Sequence, residues 1–203
     1  KDMSRVDGIK RNPEKVGLLM RSYARNLATQ ASLETIAADM QANEPKKMDT
    51  DTVSSYISAL AKLFVVEESK AWNPNLRSKT AIRTSNTRYY TDPSIGTASL
   101  SIGPKDLEND LNTFGYFFET LAIRDLRTYA EALMGEVAHY RDADKLECDA
   151  VVHLRDGRYG LIEIKLGGEA LIMEGVKSLT ALKNKLDTTK MNKPSFLMVL
   201  TGV

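Results

Sequence analysis

Residues 147–165 read ECDAVVHLRDGRYGLIEIK, two apolar runs around a turn, each with charged residues set among β-formers. Strand side chains alternate faces, so Glu163 and Lys165 share one face with Tyr159 and Leu161, and Ile162 and Ile164 take the other. In the preceding run Glu147 and Asp149 share a face, with Leu146, Cys148, Ala150, Val152 and Leu154 opposite. A solvated edge would carry more polar residues than GLIEIKLGG offers. Two carboxylates brought together in such a place repel, and burying them costs several kcal/mol, order of magnitude, unless a cation compensates. Lys165 can be that cation alone, leaving an ion-pair cluster. A divalent ion does the same and adds chemistry: Mg²⁺ takes one or two protein carboxylates plus substrate phosphate oxygens, and such a site polarises a phosphodiester and activates water. Lys165 would position the water or steady developing charge.

Convergence is a question of register. A two-residue Asp156-Gly157 loop pairs Leu154 with Tyr159 and Ala150 with Glu163, which leaves Asp149 on the wrong face. A three-residue loop, Asp156-Gly157-Arg158, pairs Arg155 with Tyr159, Val151 with Glu163 and Asp149 with Lys165. Asp149, Glu163 and Lys165 then share a face, so the expectation is this odd-length loop or a bulge with the same effect.

One cysteine excludes an internal disulfide and any cysteine-rich zinc site, and two histidines leave little for imidazole ligation. Any metal would be a hard ion, Mg or Mn, held by carboxylates. Glu119, in FGYFFETLAIRDL, lies near the apolar stripe of a helix and is a further candidate ligand; it could equally bond a helix end or Arg124.

These residues need elements to hold them. Asn12-Pro13-Glu14 marks a helix start, with Asn as cap, Pro where a missing N–H costs nothing and an acid at the positive dipole end. Ser32 opens a second helix, and Thr50 or Asp51 a third, whose inward residues are Val53, Tyr56, Ile57, Leu60, Leu63 and Phe64. Two short strands, VVEES and TRYYT, follow around a turn-rich loop that contains Trp72. Three helices and a ribbon are the order of a winged helix, which makes Ser54, Ser55, Ser58, Lys62, Arg77, Lys79, Arg83 and Arg88 candidate phosphate contacts. They equally suit the solvated face of a packing module. PSIGTASLSIGPK, residues 93–105, reads as a linker, dividing a winged-helix-like domain at 1–104 from a second domain at 105–203. A helix from about Asp106 to Glu131 then leads strands near 136–141, 146–154 and 158–166, a helix near 168–186 and the strand SFLMVL. The expected class is mixed α/β, with α-β-β-β-α-β in the second domain.

The pattern Glu119…Asp149…Glu163-Ile164-Lys165 resembles the restriction-endonuclease-like PD-(D/E)XK core. The longer strings FGYFFETLAIRDLR, HYRDADKLECDAVV and LIEIK, preceded by RYYTDPSIG, resemble the carboxy-terminal region of a bacterial and archaeal AAA-type P-loop ATPase family over nearly the whole chain. That resemblance implies a catalytic set of Glu119, Asp149, Glu163 and Lys165, with the three acids as Mg or Mn ligands and Glu147 as an auxiliary. It also implies an upstream ATPase domain of the same polypeptide as partner. No GxxxxGK[ST] occurs and the chain opens at KDMSRVDG, so ATP is expected only in that upstream module, with no ATP-binding residue here.

Three readings follow: a metal-dependent DNA phosphodiester hydrolase, a catalytically inactive nuclease-like module that binds DNA or a protein partner for the ATPase, and an ion-pair cluster of purely architectural use. The charge is mildly asymmetric, 15 Lys+Arg against 11 Asp+Glu in residues 1–104 and 13 against 16 in 105–203, about +4 and −3. That is far from the footprint of a strongly basic DNA-binding domain. No apolar run spans a bilayer and the amino terminus lacks a signal-peptide core, so the expectation is a cytoplasmic protein with no membrane partner.

Overall fold

Helix α1, Pro13–Arg25, begins where Asn12 Oδ1 accepts the Glu14 N–H at 2.8 Å, with Pro13 in the first turn. It belongs to a computed structural model that describes residues 6–41, 48–74 and 85–202. These residues form a mixed α/β protein of seven helices and one four-stranded mixed sheet. Contacts divide the chain into two units, Lys1–Glu68 with Thr87–Asp110, and Ser69–Asn86 with Leu111–Val203.

In the first unit α2, Leu33–Gln41, and α3, Thr50–Lys62, join α1 around Leu19, Tyr23, Ile36, Val53, Ile57 and Leu60, all buried. The α3 cap is Asp49, one residue before the expected Thr50 or Asp51: its Oδ1 accepts the Thr52 N–H at 2.7 Å and its Oδ2 the Thr52 hydroxyl at 3.1 Å. Phe64 is a second correction. The helix ends at Lys62, and Phe64, at φ 55°, is 82% exposed instead of facing inward.

The expected ribbon reduces to one antiparallel bridge, Val66 with Tyr90, flanked by Glu67 N–H to Tyr89 O at 2.9 Å. On its other side the same segment meets the α1–α2 connection, where Ala28 N–H bonds Arg88 O at 2.8 Å and Arg88 N–H bonds Thr29 O at 2.9 Å. The stretch read as a linker is helical. Asp92 Oδ1 accepts the Ser94 N–H at 2.8 Å and Pro93 occupies the first turn of α4, Pro93–Leu100, which packs on α1. Asp-Pro there is a cap followed by a pre-set φ, a stronger helix-start signal than the Gly and Ser downstream are linker signals. The helix expected from Asp106 is broken as well. Asp106 caps its own short helix, α5, Pro104–Asn109, by accepting the Gly103 N–H at 2.8 Å, and the chain leaves helical geometry at Asp110.

The second unit holds α6, Leu111–Ala132, then β1, Gly135–Arg141, β2, Glu147–Leu154, β3, Tyr159–Lys165, α7, Glu169–Lys185, and β4, Phe196–Thr201. The sheet order is β1-β2-β3-β4, antiparallel except for the β3–β4 pair, which α7 connects in parallel. β3 is therefore an interior strand, buried at every position but its last. On one face Val151, Tyr159 and Leu161 pack against Leu179, Leu182 and Leu186, which places α7 there. α6 packs on β1, β2 and β3 and contributes nothing to that cluster, so it covers the face that carries Ala150, Ile162 and Ile164. Trp72 lies with this unit, its ring 5.1 Å from that of Tyr159 and 6.2 Å from that of Tyr140. Beside it Ala71 bridges His139 in parallel, extending the sheet past β1.

Candidate functional site

The β2–β3 hairpin has an odd-length loop, one residue earlier than expected. Leu154 N–H bonds Arg158 O at 2.8 Å, so the loop is Arg155-Asp156-Gly157, with Gly157 at φ 84°. Val151 pairs with Leu161 instead of Glu163, and the ladder runs up to Ala150 opposite Ile162. Facial parity survives the two-residue offset: continuing the ladder sets Asp149 opposite Glu163.

Beyond Ala150 the strands change partners. The β1–β2 register shifts between Ala138, opposite Val151, and Tyr140, opposite Cys148. Two residues of β2, Asp149 and Ala150, thus face the single His139, a bulge of the kind that re-aims side chains near functional sites. It turns Cys148 into the α7-facing core, contrary to simple alternation. The next hydrogen-bonded pair of the β2–β3 ladder would be Cys148 with Ile164. The Ile164 N–H goes instead to Asp149 Oδ2 at 2.8 Å, a side chain standing in for a strand acceptor.

Three of the expected residues meet at this point. Lys165 Nζ lies 2.7 Å from Glu163 Oε2 and 3.5 Å from Asp149 Oδ2. The Ser178 hydroxyl stands 2.9 Å from the Glu147 carbonyl and 3.2 Å from Glu163 Oε1. Glu163 is 3% exposed. Burial, reinforced by the nearby Asp149, pushes its carboxyl up to about 7 against the opposing pull of Lys165 and Ser178. For Lys165 burial works against the charge, and the two carboxylates outweigh it, leaving its pKa above the ordinary value. Burial and the neighbouring Glu163 raise the Cys148 thiol far above its usual range, so it is no nucleophile.

The other expected residues fare differently. Glu119 sits half-buried on α6, and among the described residues no group of three or more His, Cys, Asp or Glu could hold a metal ion. α6 packs on the sheet face opposite α7, and one turn before Glu119 its Gly115 lies beside Leu166, the residue after Lys165. Glu147 pairs with Arg141 at 3.0 Å. In the first unit Arg88 is buried, donating to the Ala31 carbonyl at 2.7 Å and pairing with Glu68, so it holds the interior together and presents no guanidinium to a phosphate. Ser55 is engaged too, its hydroxyl accepting from Arg11 at 3.0 Å. Lys62 is exposed on the last turn of α3. Arg77, Lys79 and Arg83 lie outside the described residues.

Two α7 residues escaped the sequence reading. Gly175 brings the helix onto the strands so closely that a Cβ there would lie 3.2 Å from Glu163 Cβ and 3.1 Å from a Val199 methyl. Ser178 follows one turn later. Their spacing, two small residues three apart on a helix that crosses between parallel strands, was the available signal.

A family model described as a domain of unknown function (DUF8612) matches residues 1–106, just over half of the 203-residue chain. The chain belongs to that family. A second model, also a domain of unknown function (DUF4143), matches residues 114–201 and so takes in Asp149, Glu163 and Lys165. No curated protein and no solved structure matches. Among the described residues no helix is long and apolar enough to cross a membrane.

Proposed function

We propose that the second unit is a PD-(D/E)XK-like nuclease domain that hydrolyses DNA phosphodiesters with Mg or Mn, in the carboxy-terminal part of a cytoplasmic AAA-type ATPase. The observation that carries this reading is the convergence of Asp149, Glu163 and Lys165 at the bulged end of the β2–β3 hairpin. The donor set fits a hard divalent ion, since two carboxylates already share one cation and Mg²⁺ needs only one or two of them from protein. Asp149 and Glu163 would hold the ion. When bound it would polarise the phosphodiester and offset the charge that develops during displacement. Asp149 is kept in place by the Ile164 N–H and Glu163 by Ser178, so neither has to reorganise on binding. Lys165 supplies a positive charge on the same face, available to the phosphate or to the attacking water. The ATPase association rests on DUF4143 domains being commonly found with AAA ATPases.

For the first unit we propose a winged helix, supported by its three helices and by the 87–91 segment lying between the α1–α2 connection and Val65–Glu67. Its DNA contacts would fall to Lys62, on the last turn of α3.

A second reading has its own support. Among the described residues no group of three or more His, Cys, Asp or Glu could hold a metal ion, and a lysine already pairs with Glu163, which suits an inactive nuclease-like module that binds DNA or a protein partner for the ATPase. The test is cleavage of single- and double-stranded DNA with Mg²⁺ or Mn²⁺ by the wild-type chain, Glu163→Gln and Lys165→Ala. The nuclease reading requires metal-dependent cutting that both substitutions abolish. Salt-sensitive binding without cutting decides for the inactive module.

A further inference from the structure

We infer that Lys165 is the resident counter-cation of this site, its ammonium standing where a divalent ion would bind, so that ion entry requires the lysine to swing out. This rests on the reading that Asp149 and Glu163 are metal ligands.

The two carboxylates aim Glu163 Oε2 and Asp149 Oδ2 at one ammonium, 2.7 and 3.5 Å away. The other Glu163 oxygen is turned toward Ser178 at 3.2 Å. An ion that uses both carboxylates must approach the two oxygens that Lys165 already holds. Charge balance argues for exchange over addition. With both carboxylates ionised, as an ion requires of its ligands, the cluster with Lys165 in place carries −2 +1; a divalent ion added without release would put +3 against −2 around a carboxylate that is 3% exposed. With release, +2 meets −2. The fold permits the exchange, because the Lys165 side chain is 23% exposed and that of Glu163 only 4%. A four-carbon stem gives the ammonium room to move, whereas the Glu163 stem is fixed between β3 and Gly175 of α7. Divalent affinity is then set by a competition internal to the chain, and the released ammonium becomes free to meet a phosphate only after the ion has bound.

The test is Mn²⁺ titration of the whole chain, with free Mn²⁺ read by electron paramagnetic resonance, for wild type, Asp149→Asn, Lys165→Met and Lys165→Met with Asp149→Asn. Methionine keeps the length of the stem and removes the charge. Lys165→Met should bind Mn²⁺ about tenfold or more tighter than wild type, the scale of removing one cation from an ion site at a few ångströms, and adding Asp149→Asn should erase the gain. Equal or weaker binding by Lys165→Met, with wild-type binding that still depends on Asp149, overturns the competition and leaves the metal-site reading standing. Absence of Asp149-dependent binding in every variant overturns both. Because removing Lys165 leaves Glu163 and Asp149 without their cation, a second measurement uses wild-type protein only. Acetylation of Lys165 by an N-hydroxysuccinimide ester, followed by peptide mass spectrometry, should accelerate several-fold as Mn²⁺ saturates the site. An unchanged rate at saturating Mn²⁺ overturns the proposal.

Discussion

The two units use buried charge in opposite ways. In the first, Arg88 meets partners of three kinds, the Ala31 carbonyl, the Glu68 carboxylate and the face of Tyr23, whose ring centroid is 5.9 Å from the guanidinium carbon. In the second, one ammonium serves two carboxylates, and Glu163 is left with its pKa displaced. A satisfied buried charge is architecture. A frustrated one, held in place by the surrounding fold, is where chemistry or ligand binding is expected.

The contrast can be broken most forcefully at Arg88. Arg88→Ala should cost roughly 3 kcal/mol in urea denaturation, because it strips an almost buried ion pair of its cation. A loss below about 1 kcal/mol in the same measurement would return Arg88 to the list of surface phosphate contacts.

Glu163 tests the other side. Its folded pKa lies above that of an unfolded glutamate, so the folded state holds the proton more tightly. The associated stability is fully present below the unfolded value and is lost as pH rises through about 7. Wild type should therefore weaken between about pH 4.5 and 7, by up to about 3.5 kcal/mol, and Glu163→Gln should flatten that part of the profile. Thermal unfolding across this range checks it, and parallel profiles would mean that Glu163 is not strained.

Gly175→Ala should cost about 1–2 kcal/mol by overpacking α7 against Glu163 and Val199. It should also change divalent-ion affinity, which a substitution in the first unit should not. The smallest effect is reserved for Asp49→Ala, about 1 kcal/mol for a lost helix cap, with no change in ion binding.

Much of the second unit was legible because its signals were periodic. Alternation in β2 and β3, and the requirement that Asp149 and Glu163 share a face, fixed the parity of the hairpin loop. The loop's position was not legible, since Arg155-Asp156-Gly157 and Asp156-Gly157-Arg158 differ only in which flanking residue pairs first. The bulge opposite His139 was hidden as well; it depends on how β1 meets β2, and nothing in ECDAVV marks it. In the first unit the helices were readable from their caps and apolar spacing. Arg88 was misjudged because its partners, Ala31 and Glu68, are 57 and 20 residues away. The α4 helix is masked in the sequence by Gly and Ser residues that follow its Asp92-Pro93 cap.

The bond from the Ile164 amide to Asp149 gives the site its own spectroscopic witness. Neighbouring β3 amides are protected by strand pairing, but this one is protected only while a carboxylate faces it. Its hydrogen-exchange rate and proton chemical shift therefore report the orientation of Asp149 without any label. Whatever draws that carboxylate away, an ion, a nucleotide or a partner protein, should be visible first as a change at Ile164.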